Sequence, residues 1–129
     1  MIKLISEPIS PESIVSSLYR DDCGALVNFV GTVLNTSKEG EKVSFLEIEP
    51  CGSDAEAKLH DIASEVKQKW QIQNVAICRR IGKLKVGEIA LVVVVVAMRR
   101  KEAFEACQYI IDRIKLGGVT KERDIYESA

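Results

Sequence analysis

Five consecutive valines, Val92–Val96, sit inside the longest apolar run of the chain, Ile89 to Met98. An unbroken run of this length predicts a strand covered on both faces. Around it the pattern changes period. Ile2–Ile5 predicts a first strand, and Ser10-Pro11-Glu12 reads as an N-cap with proline at the first helical position. The short helix that follows turns Ile14, Val15 and Leu18 inward and ends near Asp21-Asp22. Gly24 to Val33 predicts a strand, with Gly31 marking a bulge or a close backbone approach. Asn35 to Lys42 is polar, contains Gly40, and is the expected mobile loop before a strand at Val43–Ile48. Ser53-Asp54 caps the longest helix, running to about Trp70, with Ala55, Leu59, Ile62, Val66 and Trp70 at helical spacing. A strand over Val75–Ile81 leads into a glycine-punctuated turn from Gly82 to Glu88. The valine strand then runs into a helix from about Lys101 to Lys115. Its inward face is Ala103, Cys107, Ile110 and Ile114, joined by Phe104 and Ile111, and Gly117-Gly118 stops it.

The expected order is β-α-β-β-α-β-β-α followed by a polar tail. Mixed elements with adjacent, hairpin-like strands fit an α+β fold better than a doubly wound parallel sheet. At 129 residues the chain is read as one domain, residues 1–129, without repeats or linkers. Charge changes little: 18 Lys+Arg against 19 Asp+Glu gives a net −1, and with 5 % aromatics this argues against a nucleic-acid binder. The N-terminus turns polar at Ser6-Glu7-Pro8, too soon for a secretory signal, and the valine run is too short for a membrane helix. Cys23, Cys51, Cys78 and Cys107 are widely spaced with one histidine, so no metal site is expected. Reduced thiols in a cytoplasmic protein are the expectation, with no membrane partner.

Basic residues at element ends carry the chemistry. Arg79-Arg80 close one strand, Arg99-Arg100 join the valine strand to a helix N-terminus, and Lys115 and Lys121 bracket that helix's other end. Guanidinium groups beside free helix N–H donors form an anion site for phosphate or carboxylate; the alternative is solvated arginines. Lys115 and Lys121 are candidate catalytic groups if buried, since desolvation frees the amine. The alternative for Lys115 is a helix-end lysine complementing the dipole. His60 is expected exposed and Cys107 a buried, inert thiol. Glu47 and Glu49 share a strand face without a histidine or metal motif, as surface or interface residues would. No P-loop, G-x-S-x-G or G-x-G-x-x-G occurs.

Five segments occur in the order of one family. They are Gly24-Ala25 through Phe29-Val30-Gly31-Thr32-Val33, Leu46-Glu47-Ile48-Glu49, Arg80-Ile81-Gly82-Lys83-Leu84-x-Val86-Gly87-Glu88, Arg100-x-x-Ala103-Phe104-x-Ala106-Cys107, and Ile111-Asp112-x-x-Lys115. From about Ile2 to Lys121 the chain resembles the large, catalytic subunit of molybdopterin synthase, the MoaE family. The resemblance implies a dimeric α+β fold of hammerhead type, a mixed sheet packed with helices. It also implies a small ubiquitin-like sulfur-carrier partner whose C-terminal Gly-Gly thiocarboxylate enters the large subunit, in a homodimer within a heterotetramer. Two sulfurs pass to cyclic pyranopterin monophosphate and form the dithiolene of molybdopterin. Lys115 and Lys121 match the family's catalytic lysines, while Arg100 and Arg80 match the arginines of two His-Arg pairs and, with Arg99, are the implied substrate ligands. No cofactor or metal is implied on this subunit.

The chain departs from the family in places. Arg79 and Arg99 stand where both histidines belong, Leu34 replaces an arginine, and the family's Pro-x-Trp-Lys becomes Gly118-Val119-Thr120-Lys121, one residue shorter. The family's C-terminal extension with its tryptophan has no counterpart up to Ala129. Arginine at 99 supplies charge but not a proton carrier near neutral pH. Two other readings stand beside the enzyme: a non-catalytic family member that binds the carrier as scaffold or regulator, and a small anion-sensing module resting on the arginine pairs.

Overall fold

In the computed structural model, which describes residues 1–126, the elements run β1 (Ile2–Ile5), α1 (Pro11–Leu18), β2 (Ala25–Thr32), β3 (Val43–Pro50), α2 (Ala55–Lys69), β4 (Ile72–Arg80), β5 (Gly82–Lys85), β6 (Ile89–Ala97), α3 (Arg100–Lys115) and β7 (Thr120–Tyr126). The fold is α+β, a mixed sheet with three helices and a second, smaller sheet among the described residues. The larger sheet has the order β1-β4-β6-β2, with β1 parallel to β4 and the other pairs antiparallel. Among the described residues no helix is long and apolar enough to cross a membrane.

The valine run is β6, an inner strand of this sheet, and both of its faces are covered. Val93 and Val95 pack with Leu59, Ile62 and Val66 of α2 and with Ala103, Cys107 and Ile110 of α3. Val92, Val94 and Val96 face the other way, against Ile14 and Leu18 of α1. Successive side chains point to opposite sides of a strand, so an uninterrupted valine series serves two cores at once.

Ser10 caps α1 as expected, its Oγ accepting from the Ser13 N–H at 3.4 Å. The helix stops at Leu18, short of Asp21-Asp22, where Arg20 and Asp22 pair across the following turn. Asp54 stands at the α2 cap position but its side chain makes no capping bond there. At 16 residues α3 is one longer than α2, reversing the expected order of lengths. Phe104 lies outside the buried stripe of α3 and is 61 % exposed, because Ala103, Ala106, Cys107 and Ile110 already fill the face turned to the sheet. The register shift between Gly31 and Thr32 is the expected bulge.

Two expectations fail at the second sheet, ordered β5-β3-β7. Gly82–Lys85 is a strand rather than part of a turn, pairing with β3 through Leu84 opposite Leu46. The expected polar tail is strand β7, paired with β3 from Pro50–Thr120 to Val43–Tyr126; residues 127–129 lie outside the described residues. Consecutive strands β2 and β3 do not form a hairpin, since β2 pairs with β6 and β3 with the second sheet. The 35–42 segment between them is closed by hydrogen bonds from the Val43 N–H to the Asn35 carbonyl and from the Ser37 N–H to the Glu41 carbonyl.

Two features of the scaffold have measurable consequences. A Cβ on Gly24 would stand 2.5 Å from the backbone carbonyl oxygen of Met98, to which the Gly24 N–H donates. Gly24→Ala is therefore expected to lose about 1–3 kcal/mol in urea unfolding, the range for forcing extra volume into a packed site. Between α2 and α3, Glu65 accepts two bonds from the Arg113 guanidinium and one from the Tyr109 hydroxyl at 2.6 Å. Arg113 first and Tyr109 second hold its carboxyl at about 2, below the ordinary 4.5. A depressed carboxyl contributes stability that is complete above the unfolded value and lost as pH falls through the folded one. The thermal midpoint of the parent chain should thus fall more steeply than that of Glu65→Gln between pH 4.5 and 2.

Candidate active site around the α3–β7 connection

The connection from α3 to β7 is short, and Gly117 and Gly118 adopt φ of +101° and +90°. That left-handed backbone ends the helix without a side-chain penalty. The Lys58 ammonium on α2 donates to the Gly118 carbonyl at 2.8 Å, and the Cys51 N–H donates to the Val119 carbonyl. The link between Lys115 and Lys121 is thereby tied to both α2 and the end of β3.

Neighbouring residues of β7 point to opposite sides of the strand. On one side Lys121 faces Glu49 of β3, with Nζ 3.8 Å from Oε2, and Arg123 pairs with Glu47 at 2.8 Å. Glu47, Glu49, Lys121, Glu122 and Arg123 line a cavity of about 330 Å³. Glu47 and Glu49 thus act as counter-ions for two cations. On the other side Glu122 Oε1 lies 3.8 Å from the Lys115 ammonium and 2.7 Å from the Arg79 guanidinium. The structure brings Lys115 and Lys121 to the two sides of one edge strand, each beside a single carboxylate among the described residues.

Both lysines are more than half exposed, Lys115 by 57 % and Lys121 by 68 % of the side chain. The burial on which the sequence reading conditions a catalytic role for either lysine is not found among the described residues.

Arg79 and Arg80 are not the solvated pair that adjacent arginines suggest. Arg79 is 3 % exposed, donating to the Thr120 hydroxyl at 3.1 Å, the Ala90 carbonyl and Glu122. Arg80 points to the other side of β4, where it donates to the Ser6 carbonyl at 3.1 Å and pairs with Glu88 at 3.3 Å. Arg79, not Arg80, reaches the lysine cluster. Burial opposes ionisation of Glu122, but the hydrogen bond and charge of Arg79, aided by Lys115, outweigh it and hold the carboxyl below its usual range.

Arg99 and Arg100 sit at the start of α3, exposed, and no described residue hydrogen-bonds or ion-pairs with either guanidinium. Both guanidinium groups are therefore open to solvent and to an incoming anion, beside free helix N–H donors. Lys115 ends the same helix, so fifteen residues at about 1.5 Å each separate it from Arg100 by roughly 22 Å. One copy of the chain does not bring the arginine pair and the lysines together. Leu34, just beyond β2, is 69 % exposed. His60 is exposed, and Cys107 is buried, with burial alone pushing its thiol up to about 11.

Thr120 and Glu122 belong to the cluster and were not singled out from sequence. The available signal was their alternation on either side of Lys121, which a strand turns into one shared side.

Comparison with known proteins supplies the remaining finding. The family described as MoaE protein matches residues 4–116. A molybdopterin synthase catalytic subunit from Thermoplasma volcanium is 38 % identical over 127 residues, 98 % of this chain and 92 % of that one. The crystal structure of molybdopterin synthase from Staphylococcus aureus is similar with a TM-score of 0.90 and 34 % identity, covering 99 % of this chain and 93 % of that one. A chain in the protein–protein complex of subunits 1 and 2 of molybdopterin-converting factor from Helicobacter pylori shares the fold at 16 % identity, TM-score 0.78, with coverage of 97 % and 84 %.

Proposed function

The chain belongs to the MoaE family, the catalytic subunits of molybdopterin synthase, and from that premise we propose how this sulfurtransferase of molybdenum cofactor biosynthesis works. Its sulfur donor is the C-terminal Gly-Gly thiocarboxylate of a small ubiquitin-like carrier subunit, and its acceptor is cyclic pyranopterin monophosphate. The observation that carries the reading is the pair of exposed ammonium groups on the two sides of β7, each shared with one carboxylate at 3.8 Å. A carboxylate contact that long in solvent is weak, so either lysine can exchange it for an incoming anion.

The carrier's terminus lies along the β7 edge in this reading. Lys115 holds the thiocarboxylate while its sulfur attacks a side-chain carbon of the pyranopterin and displaces that carbon's oxygen substituent. Lys121 stabilises the oxyanion formed when water then adds to the acyl carbon, so the C–S bond breaks with sulfur left on the substrate and the carrier ending in a carboxylate. The bound tail displaces bulk solvent from both ammonium groups and strengthens both contacts, leaving room for the one water that the hydrolysis consumes. Arg99 and Arg100 take the substrate phosphate, where the start of α3 adds its own N–H donors. Arg80, occupied by Ser6 and Glu88, supports the β5–β6 turn rather than touching substrate.

The separation of roughly 22 Å along α3 requires the phosphate site and the lysines to come from different copies if they serve one substrate. A homodimer within a heterotetramer meets that requirement. All four cysteines are free, as in a reducing compartment, and we place the reaction in the cytoplasm. No metal or cofactor is assigned to the chain.

The test is a single-turnover reaction of the full chain with the thiocarboxylated carrier and cyclic pyranopterin monophosphate, followed by dithiolene formation. Product is expected without any added metal. A stable complex with the carrier that yields no product would sink the proposal.

A further inference from the structure

Resting on the reading above, we propose that Arg79 is a positioning residue for the sulfur-transfer site: from the end of β4 it grips Thr120 and Glu122 and, through Glu122, sets how firmly Lys115 is held. An arginine that is 3 % exposed is unusual and needs partners for its donors. Arg79 finds one in the carbonyl of Ala90, on the neighbouring strand β6 of its own sheet. Its other two partners, the Thr120 hydroxyl and the Glu122 carboxylate, both belong to β7 in the second sheet. The side chain therefore rivets the start of β7 to the main sheet, one residue to either side of Lys121.

The electrostatic consequence is specific. Glu122 Oε1 lies 2.7 Å from Arg79 and 3.8 Å from Lys115, so the shorter, hydrogen-bonded contact takes most of its charge. A carboxylate facing Lys115 alone would clamp the ammonium in a closed ion pair. Shared with a buried guanidinium, it orients Lys115 yet leaves it available to an anionic terminus. Other charged groups nearby are engaged elsewhere. Lys121 faces Glu49, Asp112 accepts from Gln108, Arg113 is bound to Glu65, and Lys58 is bonded to Gly118. A histidine at position 79 would supply this permanent charge only below its own titration, whereas arginine supplies it throughout the physiological range.

The test reads Lys115 directly, by the ¹³C shift of its Cε across pH in lysine-labelled full chain, alongside sulfur-transfer kinetics. Arg79→Gln removes a cation behind Glu122, so the Lys115 midpoint should rise by about half a pH unit or more; Glu122→Gln removes the carboxylate, so it should fall by a similar amount. Displacement of Lys115 in Arg79→Gln should lower kcat by about tenfold with a smaller change in KM for the carrier. Arg79→Lys keeps the charge and should recover part of that loss, and it provides the comparison if Arg79→Gln does not fold. Midpoints that move together, or not at all, or a kcat for Arg79→Gln equal to the parent's, would overturn the proposal. If the parent chain made no dithiolene while the midpoints still moved in opposite directions, the sulfur-transfer reading would fall and Arg79's hold on Lys115 would stand.

Discussion

Lys115→Ala is expected to form the dithiolene product about 10²–10³ times more slowly than the parent chain, the loss typical of removing one preorganised contact to developing charge. The change should be confined to chemistry. Lys115 is 57 % exposed at the end of α3 and its ion pair with Glu122 is long, so the thermal midpoint should scarcely move. Carrier binding should weaken much less than turnover, because a surface as large as a subunit interface rests on many other contacts. Lys115→Arg keeps a cation in place but broadens it and removes the compact ammonium, and it should recover only part of the rate. Turnover by Lys115→Ala equal to the parent's would remove this residue from the mechanism and leave Lys121 as the candidate.

Co-expressed Lys115→Ala and Arg100→Ala chains should regain activity that neither variant has alone. The two residues occupy opposite ends of a 16-residue helix, roughly 22 Å apart. If one substrate needs both, its phosphate is held by one copy and the thiocarboxylate by the other. In a symmetric dimer each mixed pair then contains one site with both lesions and one with neither. Random pairing makes half of the dimers mixed, so recovery should approach about a quarter of the parent's activity. A site built within one copy gives the opposite result, since every chain in the mixture carries one lesion. No recovery, with mixed dimers verified by differential tagging, would end the two-copy arrangement.

What could be read from the sequence followed burial. The valine strand, the apolar stripes of α2 and α3 and the bulge at Gly31 were visible because one face of each element meets a core, and a core imposes a period. Strands β5 and β7 escaped for the converse reason. In Thr120–Tyr126 the residues Lys121, Glu122 and Arg123 are all polar, since one side meets solvent and the other meets an ion network rather than apolar side chains. In Gly82–Lys85 only Leu84 is buried, which is too little to declare a period. Phe104 misled by lying next to Ala103 on a helix whose inward stripe is narrower than its apolar content.

The site was legible in a similarly uneven way. Residue types pointed to Lys115 and Lys121, and the resemblance strengthened both. Arg79 could not be identified as buried, since a doubled arginine at a strand end reads as solvated until its three acceptors are located. Those acceptors lie 11 to 43 residues away, a pairing that no local pattern encodes.

The pairing of β7 with β3 has a consequence for how the protein is made. All four strands of the larger sheet are present once Ala97 has been synthesised, and α3 follows directly. The second sheet is incomplete until β7 joins a strand laid down about 70 to 83 residues earlier, from Pro50–Thr120 to Val43–Tyr126. Contacts that close such long stretches of chain form late, because their loop entropy must be offset by structure already in place. A nascent chain can therefore hold its main sheet and helices while lacking Lys121 and two of the three acceptors of Arg79, Thr120 and Glu122. The ability to handle a reactive sulfur donor arrives only with the last strand, after the scaffold that must contain it.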